Sequence, residues 1–309
     1  MNFVLDAIGE NVETDFSNFV KSYPATDWIV SADFCIGINE RPNDTFAYTV
    51  FPVIEDLSNL FSLLNKTIPR DLKDIQMLTP EAMEFLRAGP HFSFVFLVPK
   101  PHNLFLSVAQ ARLAIDATIT LMSSWKDADK HGDEIDKVRR LRQEAQAKNF
   151  NVGLFSDIVL NAMCAAVVAT LIVRNGKSRI IGLIPDRDKM TQAWGSIMYT
   201  MFHINLSSLC QRHELQEPKV GLGFPSASDP LRKSWIDPLI RVPDFIAGAA
   251  SAMDVHDSRV SVPDVQKYPE LLKNVFCDNR KIVQMVLLLQ PDGIRYQFRF
   301  VSSQPSSGE

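Results

Sequence analysis

A chain of 309 residues, 46% apolar and 22% charged, carries enough hydrophobic material for a large buried core, which excludes disorder as its main state. A formal charge of -4 and a pI near 5.9 exclude a broadly basic, nucleic-acid-coating surface, although a local basic groove is compatible with them. The four cysteines, Cys35, Cys164, Cys210 and Cys277, form no CxxC pair, so they read as buried thiols of a reducing compartment rather than a zinc knuckle or redox dithiol.

Residues 1–20 carry Asp6, Glu10, Glu13 and Asp15 where a secretory leader needs a basic start and then an apolar run, so a cytoplasmic location is expected. Residues 27–38 and 45–53 are rich in β-formers and flank the turn-like Arg41-Pro42-Asn43-Asp44, which predicts an antiparallel hairpin. Helical spacing of Ile54, Leu57, Leu60, Phe61 and Leu64 predicts a helix over 54–65, closed by Pro69. Thr79 and Pro80 then read as the N-cap and first residue of a short helix that ends near Gly89. The run at 91–98, HFSFVFLV, predicts a central strand.

A helix is expected over 103–125, and a charged stretch at 126–148 reads as a solvated helix or an insertion. Residues 158–173 hold no charge. Sixteen residues fall short of the about 20 a membrane span needs, so a buried core helix is expected and no membrane partner. Residues 179–184 predict a short strand, 190–209 a helix and 219–224 a weaker strand. Pro243 and Asp244 are read as opening a small-residue helix over 245–253. Beyond it lie a helix at 269–276 and β-like runs at 282–289 and 294–301, joined by the turn Gln290-Pro291-Asp292-Gly293, with a loose Ser-, Gly- and Pro-rich tail at 302–309.

Three carboxylates fall where this order brings strand ends together: Asp33 inside the first strand, Asp186 just past the fourth, and Asp244. A charge inside an apolar strand is costly unless paired or metal-bound, and by alternation Asp33 shares a face with Ile29, Ser31 and Cys35. Bland readings stand beside the functional one: Asp33 hydrogen-bonded to a neighbouring backbone, Asp186 and Asp188 in an exposed loop and helix cap, and Asp244 as a plain cap.

The segments SADFCIG, LIPDRDKMT and GFPSASDPLRKSWIDPLIRVPDFIAGAA together resemble a group of uncharacterised ribonuclease H-like domains found near mobile elements and defence genes. The shared features are an Asp in the first strand, an Asp after the fourth, and an aDxxaGa helix, here Pro243-Asp244-Phe245-Ile246-Ala247-Gly248-Ala249. The first motif departs, since Asp33 is followed by Phe34-Cys35-Ile36-Gly37 in place of Glu-Ser-Gly.

The resemblance implies an α/β fold with a ribonuclease H-like mixed sheet flanked by helices. Its first and fourth strands would be adjacent and its last helix would pack across them. Residues 1–254 would form this domain, with a helical insertion near 126–173, and 255–309 a C-terminal α+β appendage. It further implies a divalent-metal phosphodiesterase acting on nucleic acid, with Asp33, Asp186 and Asp244 catalytic, and these three together with Asp188 as candidate ligands of Mg²⁺ or Mn²⁺. The alternative is an inactive module of the same fold that recognises a protein or nucleic-acid partner.

Other chemistry finds little support. The six histidines lack HExxH-type spacing and read mostly as surface or cap residues. There is no GxSxG elbow and no phosphate loop, and Gly221-Leu222-Gly223 lacks the third glycine of a dinucleotide site. Arg174, Lys177, Arg179, Arg187 and Lys189 surround the fourth strand, either to track a phosphate backbone or as a solvated rim.

Overall fold

Strands β1 (Asp27–Cys35) and β2 (Asn43–Val53) pair antiparallel, with Asp27 opposite Val53 and Cys35 opposite Thr45, in a computed structural model of the chain. The structure describes all residues except 1, 55, 73–74, 127, 177, 224–229, 254–266, 291–292, 300 and 302–309, together with the side chains of 2–11, 230–236 and 299. Phe224 of the expected fifth strand, Lys177, His256, two turn residues of the last hairpin and the tail lie outside the described residues.

β3 (Phe92–Pro99) continues the sheet antiparallel to β2, while β4 (Ile180–Pro185) joins β1 on its other side in parallel. β5 (Lys219–Leu222) runs parallel to β4 at one edge. β6 (Ile282–Gln290) lies parallel beside β3, and β7 (Gly293–Arg299) closes the far edge, giving the order β5-β4-β1-β2-β3-β6-β7. The last two strands therefore extend the main sheet instead of forming a separate appendage.

Burial on both faces explains the near-continuous apolar runs of β2 and β3. One face meets helix α1 (Asn2–Lys21), where the Phe16 ring lies edge-on to Phe92 and Phe94 at 5.0 and 5.1 Å, and Phe19 approaches Trp28 at 6.1 Å. The other face carries Ile29, Ala47, Phe51, Val95 and Leu97, in one core with α2 (Leu57–Thr67), α3 (Pro80–Ala88) and the long α8 (Pro230–Ser251). Thr79 caps α3 by accepting from the Ala82 amide at 3.2 Å. A short helix, α9 (Lys267–Leu271), passes into a π-helical turn at Leu272–Phe276 that packs in the same core.

Two compact units divide the chain. The sheet, with the elements just described, occupies Asn2–Pro101, Leu171–Asp186 and Pro218–Glu309. The second unit comprises His102–Thr170 and Arg187–Glu217, so the helical portion begins well before the expected residue 126 and takes in a later helix as well. It contains α4 (Val108–Ser123), a 3-10 turn at Ala128–His131, α5 (Gly132–Glu144) and α7 (Lys189–Arg212). α6 (Val152–Asn175) runs through Thr170 in this unit and ends in the sheet unit.

α6 is long and apolar enough to cross a membrane by length and composition, and most of it is buried inside the protein, as a core helix requires. α7 is interrupted at Trp194, Gly195 and Ser196, all with positive φ, and the Trp194 ring stacks on Phe150 at 5.0 Å.

Two further expectations are revised. The last core helix does not open at Pro243: α8 begins at Pro230 and holds Pro238 and Pro243 within it, because its packing on β1 and β2 outweighs the lost backbone bonds. His91 is no surface residue but is fully buried at the start of β3, with its Nε2 3.0 Å from the Phe85 carbonyl oxygen.

Candidate acidic site

Sheet register brings two of the three acids together. The Asp186 amide donates to the Ala32 carbonyl at 2.8 Å, carrying the parallel β4-β1 pairing one residue past the end of β4 and setting Asp186 beside Asp33. Ala47 stands opposite Asp33 on β2, and its small side chain leaves room above the strand.

The third acid arrives on α8. Thr45 Oγ1 donates to the Ala247 carbonyl at 3.1 Å and the Asn43 amide to that of Met253, so two buried polar side chains of β2 fix the helix across the hairpin. Residues 237, 240, 241, 244, 247 and 248 then face one side, three or four apart along the helix. The Asp244 carboxylate accepts from the Leu72 amide at 3.3 Å.

Gly248 lies under that contact: a Cβ there would stand 2.3 Å from Leu72 Cδ2, so Leu72 in its present rotamer seats directly on the glycine. The Gly of the aDxxaGa pattern is thereby tied to its Asp through the chain segment that both touch.

These residues border a pocket of about 500 Å³ within the sheet unit. Asp33, Asp71, Asp186, Asp237 and Asp244 line it with Arg41, Arg70 and Arg241. Burial holds Asp33 well above the usual carboxylate range; the charges of Asp244 and then Asp186 push it the same way, as does a hydrogen bond to Asp244, against a backbone bond from the Phe34 amide at 2.7 Å. Cys35 borders the same pocket, and burial raises its thiol too.

Asp33, Asp186 and Asp244 are thus gathered at one pocket, whereas Asp188 belongs to the helical unit. There it caps α7, accepting from the Thr191 amide at 2.9 Å in a capping box. Of the basic residues around β4, Arg174 pairs with Glu13 at 3.3 Å and Arg179 with Asp27 at 3.0 Å, as a rim would. The arginines that do line the pocket were not singled out in the sequence. Arg41 comes from the β1-β2 turn, where its guanidinium lies 4.2 Å from the Tyr268 ring centre; Arg70 follows α2; and Arg241 stands one turn before Asp244.

The donors suit Mg²⁺ or Mn²⁺ in type, being hard carboxylate oxygens. Their spacing is not that of an assembled ligand set: among the described residues no three His, Cys, Asp or Glu are gathered as one, and Asp33 and Asp244 hydrogen-bond to each other.

Comparison with protein-family models, with curated proteins and with solved structures returned no match.

Proposed function

We propose that the chain is a ribonuclease H-like nuclease that hydrolyses phosphodiester bonds of nucleic acid with the help of Mg²⁺ or Mn²⁺. The observation that carries this reading is the meeting of Asp33, Asp186 and Asp244, distant in sequence, at one pocket. The fold supports it, because β1 pairs with β4 and α8 packs across the hairpin, the arrangement a ribonuclease H-like sheet calls for.

In this reading Asp33, Asp244 and Asp186 are the residues that would hold the cation. A bound divalent ion supplies an activated water and neutralises charge building on the phosphate. Leu72 orients the Asp244 carboxylate through its amide, and the arginines of the pocket offset the charge of an approaching backbone.

The test is thermal melting with Mn²⁺, alongside cleavage assays on single- and double-stranded DNA and RNA. Saturation to a hundred times the dissociation constant should stabilise the folded chain by about 2.7 kcal/mol. Asp33→Asn and Asp244→Asn should each abolish both the shift and any cleavage. Phe34, in the place of the family's Glu, favours one rival, a binding module without activity; a flat Mn²⁺ titration together with no cleavage would establish that rival instead.

A further inference from the structure

We propose that Arg70 and Arg241 form an oxyanion subsite beside the acidic cluster, which takes a phosphate of the nucleic-acid backbone; the identity of this ligand rests on the nuclease reading above. Both side chains border the pocket. Arg241 is held from below: Nη1 donates to the Ile68 carbonyl at 3.0 Å and Nη2 to Asn65 Oδ1 at 2.8 Å, while Nε is buried with no hydrogen-bond partner among the described residues. A buried donor left in that state costs free energy until an acceptor arrives.

Arg70 is exposed at the pocket and makes no hydrogen bond or ion pair among the described residues. Burial lowers the affinity of the Arg241 guanidinium for its proton, against the attraction of Asp237 one turn back on α8, and the charge of Arg70 adds a smaller push in the same direction as burial. Two neighbouring guanidiniums that repel each other are stabilised by an anion placed between them, and the planar donor fork of arginine matches phosphate oxygens.

The subsite is also built to stay in place. Leu72, two residues after Arg70, seats against Gly248, gives its amide to Asp244, and accepts from Lys267 Nζ at 2.8 Å. The chain that carries Arg70 is thereby pinned to the helix that carries Arg241 and Asp244, so the anion seat and the acids keep one spacing.

The experiment measures fluorescence anisotropy of a labelled single-stranded oligonucleotide with Ca²⁺ present, across a salt series, for the wild type, Arg70→Ala and Asp33→Asn. Arg70→Ala should melt like the wild type, bind about tenfold more weakly, and lower the magnitude of the slope of log K against log salt by about 1, as loss of one phosphate contact requires. Asp33→Asn should keep Arg70-dependent binding.

Equal affinity and slope for Arg70→Ala and wild type would overturn the subsite. Inorganic phosphate that raises the wild-type melting temperature through Arg70, with no oligonucleotide binding, would also overturn it as a backbone site by assigning it to a small phosphate ester. Arg70-dependent binding with no cleavage under any metal would uphold the subsite while removing the nuclease reading, so the two failures are distinct.

Discussion

The two ends of β1 treat charge in opposite ways. Asp27 opens the strand under the guanidinium of Arg179, and that contact holds its carboxyl below the usual range; His91, at the same end of the sheet, is buried and pushed down to about 4, chiefly by burial, so it stays neutral. Six residues along, Asp33 faces two more acids and is pushed the other way. Even Asp44, buried nearby in the hairpin, has Lys100 at 2.9 Å and the Gly37 amide at 2.8 Å. One end of the sheet is settled for stability, and the other keeps an unresolved repulsion that a folding requirement alone does not explain.

The largest test of this contrast is acid sensitivity at the settled end. The folded-state value of His91 lies below the ordinary 6.5, so the unfolded chain takes up the proton more readily. Its contribution is therefore complete above pH 6.5 and is lost as pH falls towards 4, by about 3 kcal/mol. Denaturant melts of wild type and His91→Gln across that window should differ in slope, and parallel curves would refute the assignment.

Next in size, Gly248→Ala should cost about 1 kcal/mol, because its new methyl displaces the Leu72 side chain and the gain in helix propensity offsets part of that loss. The double variant Leu72→Ala/Gly248→Ala should lose less than the two single losses added together, and strict additivity in denaturant melts would show that the two positions are not coupled.

A smaller effect of opposite sign is expected at the acidic end. Asp33→Asn removes a charge that burial and two neighbours disfavour, so it should raise the melting temperature, and by more as pH rises, because the folded chain holds the Asp33 proton more tightly than the unfolded chain does. The smallest change belongs to Asp27→Asn, a slight loss that fades in high salt because its partner Arg179 is exposed. If both substitutions moved the melting temperature in the same direction, the contrast between the two ends would not hold.

Much of the sheet is legible in the sequence because its signals are local. The β-former-rich run of β1, the aromatic run of β3 and the Thr79-Pro80 start of α3 each depend on adjacent residues. Asp33 stands out because a carboxylate within an apolar strand is an anomaly on its own. The remainder depends on contacts remote in sequence. Arg70 and Arg241 look like ordinary surface charges until the chain near Leu72 is laid on α8, and Gly248 shows its purpose only once Leu72 is against it. Helix α1 is less legible, because the helical spacing of Val12, Phe16, Phe19 and Val20 is short and becomes a buried stripe only once the helix lies on the sheet. Prolines 238 and 243 carry the usual signal for a helix start, which tertiary packing overrides.

Those two prolines bear on how the site yields under load. Pro243 has no amide to give the carbonyl of Leu239, so the ladder of α8 lacks a rung immediately before Asp244, and Pro238 removes another five residues earlier. Bending at such a joint is opposed by one backbone hydrogen bond fewer than in an uninterrupted helix. With its own ladder short of two rungs, α8 owes the placing of Asp244 beside Asp33 to the bonds that seat it from outside, the Thr45 hydroxyl on the Ala247 carbonyl and the Leu72 amide on the Asp244 carboxylate.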